Sequence, residues 1–272
     1  MRRLVDWLPV DLLVVTAIGE IPAHVEHFDT PGALRAEYEL IVGALKDTSK
    51  VVAYADDEYS KSLGTASGHS VISYGSSKEA DISAKKYKIL YEGNVPTGIS
   101  FNLLRPSSNE PIMIKETMGI HAVNGVLCAM AVLQALGEHP FSMNPSFEKM
   151  LFSPGRMRIL PGIKGSVILD DSYNSSPVAV EELISVIKKV NAEKKVQRSI
   201  LVLGDMLELG RFTTEVHREI GREIGREFCN EIVLICVGVR SRFVKVSAME
   251  AGMKEESIFQ FDMPEKAGQY IQ

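Results

Sequence analysis

The sequence predicts an α/β protein in two parts, each built on parallel strands separated by helices, with an antiparallel extension in the first part. Three observations carry this. Short β-branched runs alternate with amphipathic stretches through both halves of the 272-residue chain. Between residues 82 and 115 the pattern changes to short alternating runs broken by turn residues (Gly93, Asn94, Pro96, then Pro106 to Pro111), the mark of antiparallel strands. A segment rich in proline, residues 137–154, divides the alternation into two blocks, with expected boundaries at 1–150 and 151–272.

In chain order, residues 11–18 form a continuous β-branched run that suits a strand buried on both faces. Pro31-Gly32 opens a helical pattern carrying Leu34, Leu40, Ile41 and Leu45. Residues 51–54 read as the next strand, ending at Asp56-Asp57, and residues 70–74 as another. Residues 121–136 are a strongly apolar helix closed by Gly137, a helix-stop residue. Past the dividing segment, residues 166–170 are predicted as a strand and 177–190 as a helix with Pro177 in its first turn. Strands at 199–203, 232–237 and 258–261 follow. Between them lie a helix at 213–228, with Val216, Ile220, Ile224 and Phe228 on one stripe, and another near 240–251.

Composition narrows the function classes. With 45% hydrophobic and 24% charged residues the chain has an ordinary globular balance, which excludes wholesale disorder. A net charge of −5 offers no surface for nucleic acid or an anionic membrane at the whole-chain level. Cys128, Cys229 and Cys236 are odd in number and lack metal-ligand spacing, which argues against a disulfide scaffold or structural zinc and fits a reducing compartment. The apolar run near the start is far short of the ~20 residues of a membrane-spanning helix. Asp6, Pro9 and Asp11 also interrupt what would be a signal peptide's apolar region. The expectation is a cytoplasmic protein with no nucleic-acid or membrane partner.

Three constellations bear on chemistry. The first is LDDSYNSSP (169–177), two carboxylates where a predicted strand ends and a helix begins. Ligands of parallel α/β sheets bind at that edge, where a carboxylate can hold a ribose hydroxyl and Tyr173 and Asn174 supply a flat face and an amide. The same residues also read as a turn that caps the helix. The second is LVLGDMLELG (201–210), two glycines bracketing an acidic turn after a strand. The third is Arg156 in PGRM (154–157), placed to reach a phosphate through bidentate hydrogen bonds.

In this order and spacing the three motifs resemble the C-terminal domain of Mur ligases, most closely the MurF type, which adds D-alanyl-D-alanine to a UDP-muramoyl tripeptide. Upstream, VVTAIGEIPAHVEHF (14–28) and GIHAVNGVLCAMAVLQALG (119–137) resemble two further segments of that family. The resemblance implies part of a P-loop-type central domain with its antiparallel extension, then a Rossmann-like C-terminal domain. It implies ATP and Mg2+ as cofactors, and UDP-MurNAc-tripeptide and D-alanyl-D-alanine as substrates. The implied chemistry is ATP-driven amide formation: the peptide carboxylate is phosphorylated, the amine attacks and phosphate leaves. Such transfer depends on positioning and charge neutralisation.

Carried over residue by residue, Arg156 matches the arginine at the nucleotide phosphates and Asp171 the aspartate at the ribose, with Tyr173 and Asn174 flanking it. The family asparagine near adenine falls at Gly125. Asn124, one place away and about 100° around the helix, is the candidate here. His24 matches a magnesium-binding histidine, and a helix-start or core histidine is its plain alternative. Glu37 falls near a family lysine that becomes carbamylated; its carboxylate could supply what the carbamate would, or simply face water. No residue is assigned as a catalytic acid, base or nucleophile.

The departures matter equally. No GxxxxGK[ST] phosphate loop occurs; residues 64–70 and 75–78 come nearest and neither fits. The family's VLVKGSRG-like segment is absent too. The expectation is a ligase fragment without turnover of its own. Two other readings stay open. One is a folylpolyglutamate or cyanophycin synthetase-like ligase, against which the DMLELG run (205–210) argues. The other is a non-catalytic scaffold module with ligase architecture.

Overall fold

The computed structural model describes residues 7, 9–20, 25–107, 109–139, 147, 153–193, 196–229 and 231–272. They fall into two compact units, the first reaching residue 169 and the second comprising 93–95, 154–157 and 170–272.

The first unit holds a six-stranded sheet in sequential order: β1 (Leu12–Val15), β2 (Lys50–Tyr54), β3 (Ser70–Gly75), β4 (Ile82–Glu92), β5 (Val95–Arg105) and β6 (Ile112–Lys115). Neighbours from β1 to β4 run parallel, in registers Val14↔Val52, Val52↔Ile72 and Tyr74↔Ile82, and β6 runs antiparallel to β5. Helices α1 (Pro31–Val42) and α2 (Glu58–Ala66) supply the long crossovers between β1 and β2 and between β2 and β3; β3 and β4, joined by residues 76–81, pair only over Tyr74 and Gly75, and only Gly93-Asn94 separates β4 from β5.

Local signals start the helices. Thr30 Oγ1 accepts the Ala33 N–H at 3.1 Å ahead of Pro31, and Asp57 accepts the Ser60 N–H at 3.2 Å at the head of α2. Alternation along β2 sends Val51 and Ala53 to a cluster with Val15, Val42 and Leu63. Val52 points the other way, toward α3 (Ile120–Leu136), which packs on β2, β3 and β4 and buries Val123, Val126, Leu127 and Met130. α3 ends at Gly137, whose φ of +88° is the left-handed stop. A sheet covered on both faces accounts for its apolar strands.

The second unit holds three parallel strands in the order β11-β10-β9: β9 (Ser199–Leu203), β10 (Ile232–Val237) and β11 (Ile258–Phe261). Helix α4 (Pro177–Ala192) packs on α5 (Thr213–Phe228), which packs on α6 (Arg242–Glu250). Val216, Ile220, Ile224 and Phe228, the stripe read from the sequence, are all buried. Helix α7 (Pro264–Ile271) brings Ala267 against Ile235 and Val237.

The structure departs from expectation in four places. β1 stops at Val15 because the next polar groups leave the ladder: Ile18 N–H donates to Asp57 Oδ2 at 2.9 Å, and the Ser60 hydroxyl donates to the Thr16 carbonyl at 2.7 Å. Leu40 is 40% exposed and off the apolar stripe of α1, while Val42 is buried. The strand predicted at 166–170 is β8 (Val167–Asp170), yet it pairs with β7 (Arg158–Pro161), not with the three-stranded sheet. The five-residue link between them makes that local pairing cheap to close. Helices α2 and α7 and strand β7 were not expected. Residues 140–146 and 148–152 of the dividing segment lie outside the described residues. Among the described residues no helix is long and apolar enough to cross a membrane.

Candidate functional site

Four of the sequence-selected residues lie in the second unit. Arg156 comes from the short segment 154–157, and Asp171, Tyr173 and Asn174 from the connection between β8 and α4. Three contacts tie the two segments. Met157 N–H donates to Asp171 Oδ1 at 3.1 Å, and Tyr173 N–H donates to the Gly155 carbonyl at 3.1 Å. The Arg156 guanidinium lies 4.2 Å from the centre of the Tyr173 ring, a cation–π contact.

Gly155 makes the approach possible. Its φ is +71°, and a Cβ there would stand 2.6 Å from the Tyr173 nitrogen. Tyr173 itself is 68% exposed, so its ring and the guanidinium over it face solvent. Asp171 is half-buried, and burial raises its carboxyl pKa. The Met157 N–H and the Arg156 charge pull it back down, and Asp170 pushes it up again.

Asp170 has a different duty, accepting the Ser172 N–H at 3.2 Å and the Ser172 hydroxyl at 2.6 Å in an Asx turn. The cap of α4 is Ser176, whose hydroxyl accepts the Ala179 N–H at 3.4 Å. The capping duty therefore falls on neither Asp171 nor the exposed Asn174.

The first unit carries the remaining candidates on separate helices. Asn124, on α3, donates from Nδ2 to the Tyr54 hydroxyl at 2.8 Å, which fastens the helix to the end of β2; its Oδ1 is buried without a hydrogen-bond partner. The Tyr54 and Tyr74 rings lie 5.4 Å apart beside it. Glu37 is half-buried on α1, and His24 lies outside the described residues. Among the described residues no three His, Cys, Asp or Glu side chains converge into a metal cage.

Two residues that the sequence reading passed over anchor the loop after β1. Arg35 Nη2 donates to the Gly19 and Glu20 carbonyls at 3.1 and 3.4 Å, while its guanidinium stacks 4.7 Å from the Tyr59 ring centre. Asp57 grips Ile18 from the other side. Burial raises the Asp57 pKa, but hydrogen bonds from Ser60, Ile18 and Gly19 outweigh it and hold the carboxyl below its ordinary value. The signal for Asp57 was present in the sequence as a helix-cap aspartate; Arg35 left none.

Comparison with known proteins gives these sites a family. Residues 1–133 match the Mur ligase middle domain, and residues 155–272 match the Mur ligase glutamate ligase domain. This chain belongs to the Mur ligase family. Members of that family are ATP-dependent ligases that form carbon–nitrogen bonds. The UDP-N-acetylmuramoyl-tripeptide–D-alanyl-D-alanine ligases of Haemophilus influenzae and Bacillus subtilis are similar to it, at 28% identity over 73% of this chain and 27% over 77%. The alignments cover 41% and 42% of those relatives, so the chain spans less than half of their length. The fold is shared with the MurF ligase of Thermotoga maritima, solved in complex with ADP. The TM-score is 0.78 at 21% identity, over 99% of this chain and 57% of that one.

Proposed function

We propose that this Mur ligase chain carries the nucleotide-facing part of a MurF-type ligase, which joins D-alanyl-D-alanine to UDP-MurNAc-tripeptide at the expense of ATP in cytoplasmic peptidoglycan-precursor synthesis. The observation that carries the reading is the pinning of Gly155-Arg156-Met157 onto Asp171 and Tyr173. It sets an aromatic face, a cation and a half-buried carboxylate side by side, with the carboxylate oriented by a main-chain N–H. A nucleotide needs these three features: a surface for the base or sugar, a counter-charge for phosphate and an acceptor for a ribose hydroxyl. The similar ligases named above supply the substrates in this reading.

In this assignment Asp171 Oδ2 accepts the ribose hydroxyl, since Oδ1 already holds Met157. Arg156 swings from Tyr173 to the phosphates, and Tyr173 and Asn174 line the nucleoside. Asn124 is the proposed contact for adenine, and His24 and Glu37 are the proposed contacts for Mg2+. Residues 1–150 and 151–272 are the two functional domains, the first a part of the ATP-binding domain. Bound magnesium would neutralise phosphate charge; the residues of the second unit orient the nucleotide.

Because the sequence holds no GxxxxGK[ST] loop, we expect residues 1–272 alone to bind nucleotide without turnover. Calorimetric titration with ADP and adenosine tests the site. Asp171→Ala should weaken both ligands about tenfold, and Arg156→Ala should weaken ADP by a similar factor while sparing adenosine. No binding of ADP by the wild-type chain, or equal affinity in the variants, would overturn this assignment; phosphate release on adding the substrates would overturn the expectation of no turnover.

A further inference from the structure

The DMLELG segment has no role in the nucleotide assignment, yet it is anchored to two neighbouring segments at the carboxyl edge of the second sheet. We propose that His217 is the pin of a pH-sensitive latch that holds this loop, residues 204–209, when neutral and releases it when protonated.

The loop is fastened at two points. Asp205 Oδ1 accepts the N–H groups of Arg240 at 2.9 Å and Ser241 at 2.8 Å from the connection between β10 and α6, with the Arg240 guanidinium 3.9 Å from Oδ2. Next to it, Met206 N–H donates to His217 Nε2 at 3.1 Å, and His217 Nδ1 lies 2.7 Å from the Thr213 carbonyl. His217 is fully buried on α5, and Met206 and Leu209 are buried on either side of Leu207, which is 55% exposed.

The partners fix the tautomer. A main-chain N–H can only donate and a carbonyl can only accept, so Nε2 carries the lone pair and Nδ1 the proton. Protonation would place a hydrogen on Nε2 pointing at the Met206 N–H, two donors facing each other where water cannot reach. Met206 must then move away from the ring.

The charges facing the imidazole come from two loops. Asp205, after β9, favours the cation, and Arg240, after β10, opposes it; on the histidine's own helix the Thr213 carbonyl favours a protonated Nδ1. Burial outweighs these and keeps the ring neutral, below its ordinary value near 6.5. Acidification thus charges the ring only by opening the latch. Release of Met206 frees the main chain next to Asp205 and with it the hold on Arg240 and Ser241. That edge of a parallel sheet is where α/β proteins place their ligands. The latch is independent of the nucleotide assignment and stands or falls without it.

NMR of the whole 272-residue chain tests it. Imidazole nitrogen shifts should show the Nδ1–H tautomer at pH 7.5 and a midpoint below 6.5. The Met206 amide, corrected for intrinsic rate, should exchange about tenfold faster at pH 5 than at pH 7.5, followed by Arg240 and Ser241. His217→Gln keeps an acceptor near the Nε2 position and does not titrate, so its Met206 protection should be flat with pH. His217→Asn lacks that acceptor and should exchange fast throughout. An Nε2–H tautomer, a midpoint at or above 6.5, flat protection in the wild type, or a wild-type pH response in His217→Gln would each overturn the proposal. Should the variants not fold, tautomer and midpoint in the wild type decide alone.

Discussion

Replacing Gly155 with alanine attacks the junction on which the nucleotide assignment rests, and the structure supplies its own control. At φ +71° an added Cβ meets the Tyr173 nitrogen at 2.6 Å and its Cα and Cβ at 3.1 Å. These are chiefly main-chain atoms, so no rotamer change relieves the clash and the two segments must part. The left-handed backbone costs an alanine about 1–2 kcal/mol. Separation also weakens the Tyr173-to-Gly155 and Met157-to-Asp171 hydrogen bonds, together worth about 2 kcal/mol in a partly hydrated setting. Gly165 has nearly the same φ, +75°, with nothing within 4 Å of its would-be Cβ. Gly165→Ala therefore carries the conformational cost alone, about 1–2 kcal/mol. Urea unfolding should place Gly155→Ala about 2 kcal/mol below Gly165→Ala, and ADP affinity should fall only in the former. Equal destabilisation by the two substitutions, or native ADP affinity in Gly155→Ala, would refute the argument.

Gly221→Ala and Gly225→Ala should each lower the urea midpoint, although alanine is favoured in a helix by up to about 1 kcal/mol. Their would-be Cβ atoms meet the Val244 and Ala248 carbonyls of α6 at 2.4 and 2.6 Å, and such overpacking costs about 1–3 kcal/mol. Asp57, whose folded carboxyl is held below its ordinary value of 3.8, contributes stability that is present above 3.8 and lost as pH falls through its folded value. Asp57→Asn should flatten that part of an acid-denaturation curve and cost about 1–2 kcal/mol at pH 7; an unchanged acid limb would discount the carboxylate.

Helices and strands with strong periodicity were legible in the sequence because each is specified by its own residues. Residues 199–203, 213–228, 232–237 and 258–261 coincide with β9, α5, β10 and β11, and the stripe from Val216 to Phe228 is the face that α5 buries. Legibility fails where a distant partner decides. β1 looked longer than it is because Ile18 is apolar, and nothing nearby discloses that Asp57 will take its N–H. Helix α2, EYSKSLGTA, has too few apolar residues to announce itself; Asp57 at its head and the close fit of Gly64 on Ala53 make it a helix. β8 reads as a core strand, but β7 lies only five residues upstream and is the strand it pairs with.

The candidate site shows the same division in sharper form. Motif order found Arg156, Asp171 and Tyr173, but only the fold reveals that Gly155 brings them together by presenting its carbonyl to the Tyr173 N–H. Two aspartates adjacent in sequence, 170 and 171, look interchangeable as text. One closes a local turn on Ser172 while the other reaches 14 residues back to Met157, and that makes Asp171 the carboxylate oriented across the junction. The GDMLELG loop carries the point further. Of its two acidic residues, Asp205 looks like a ligand group, yet in the structure it is committed to the amides of Arg240 and Ser241, 35 and 36 residues away. A carboxylate already satisfied by two main-chain donors gains little from a new hydroxyl partner, whereas Asp171 has given one oxygen to one donor. Between Asp171 and Asp205, Asp171 is thus the less committed carboxylate, and Asp205 is the one whose loss should loosen a loop.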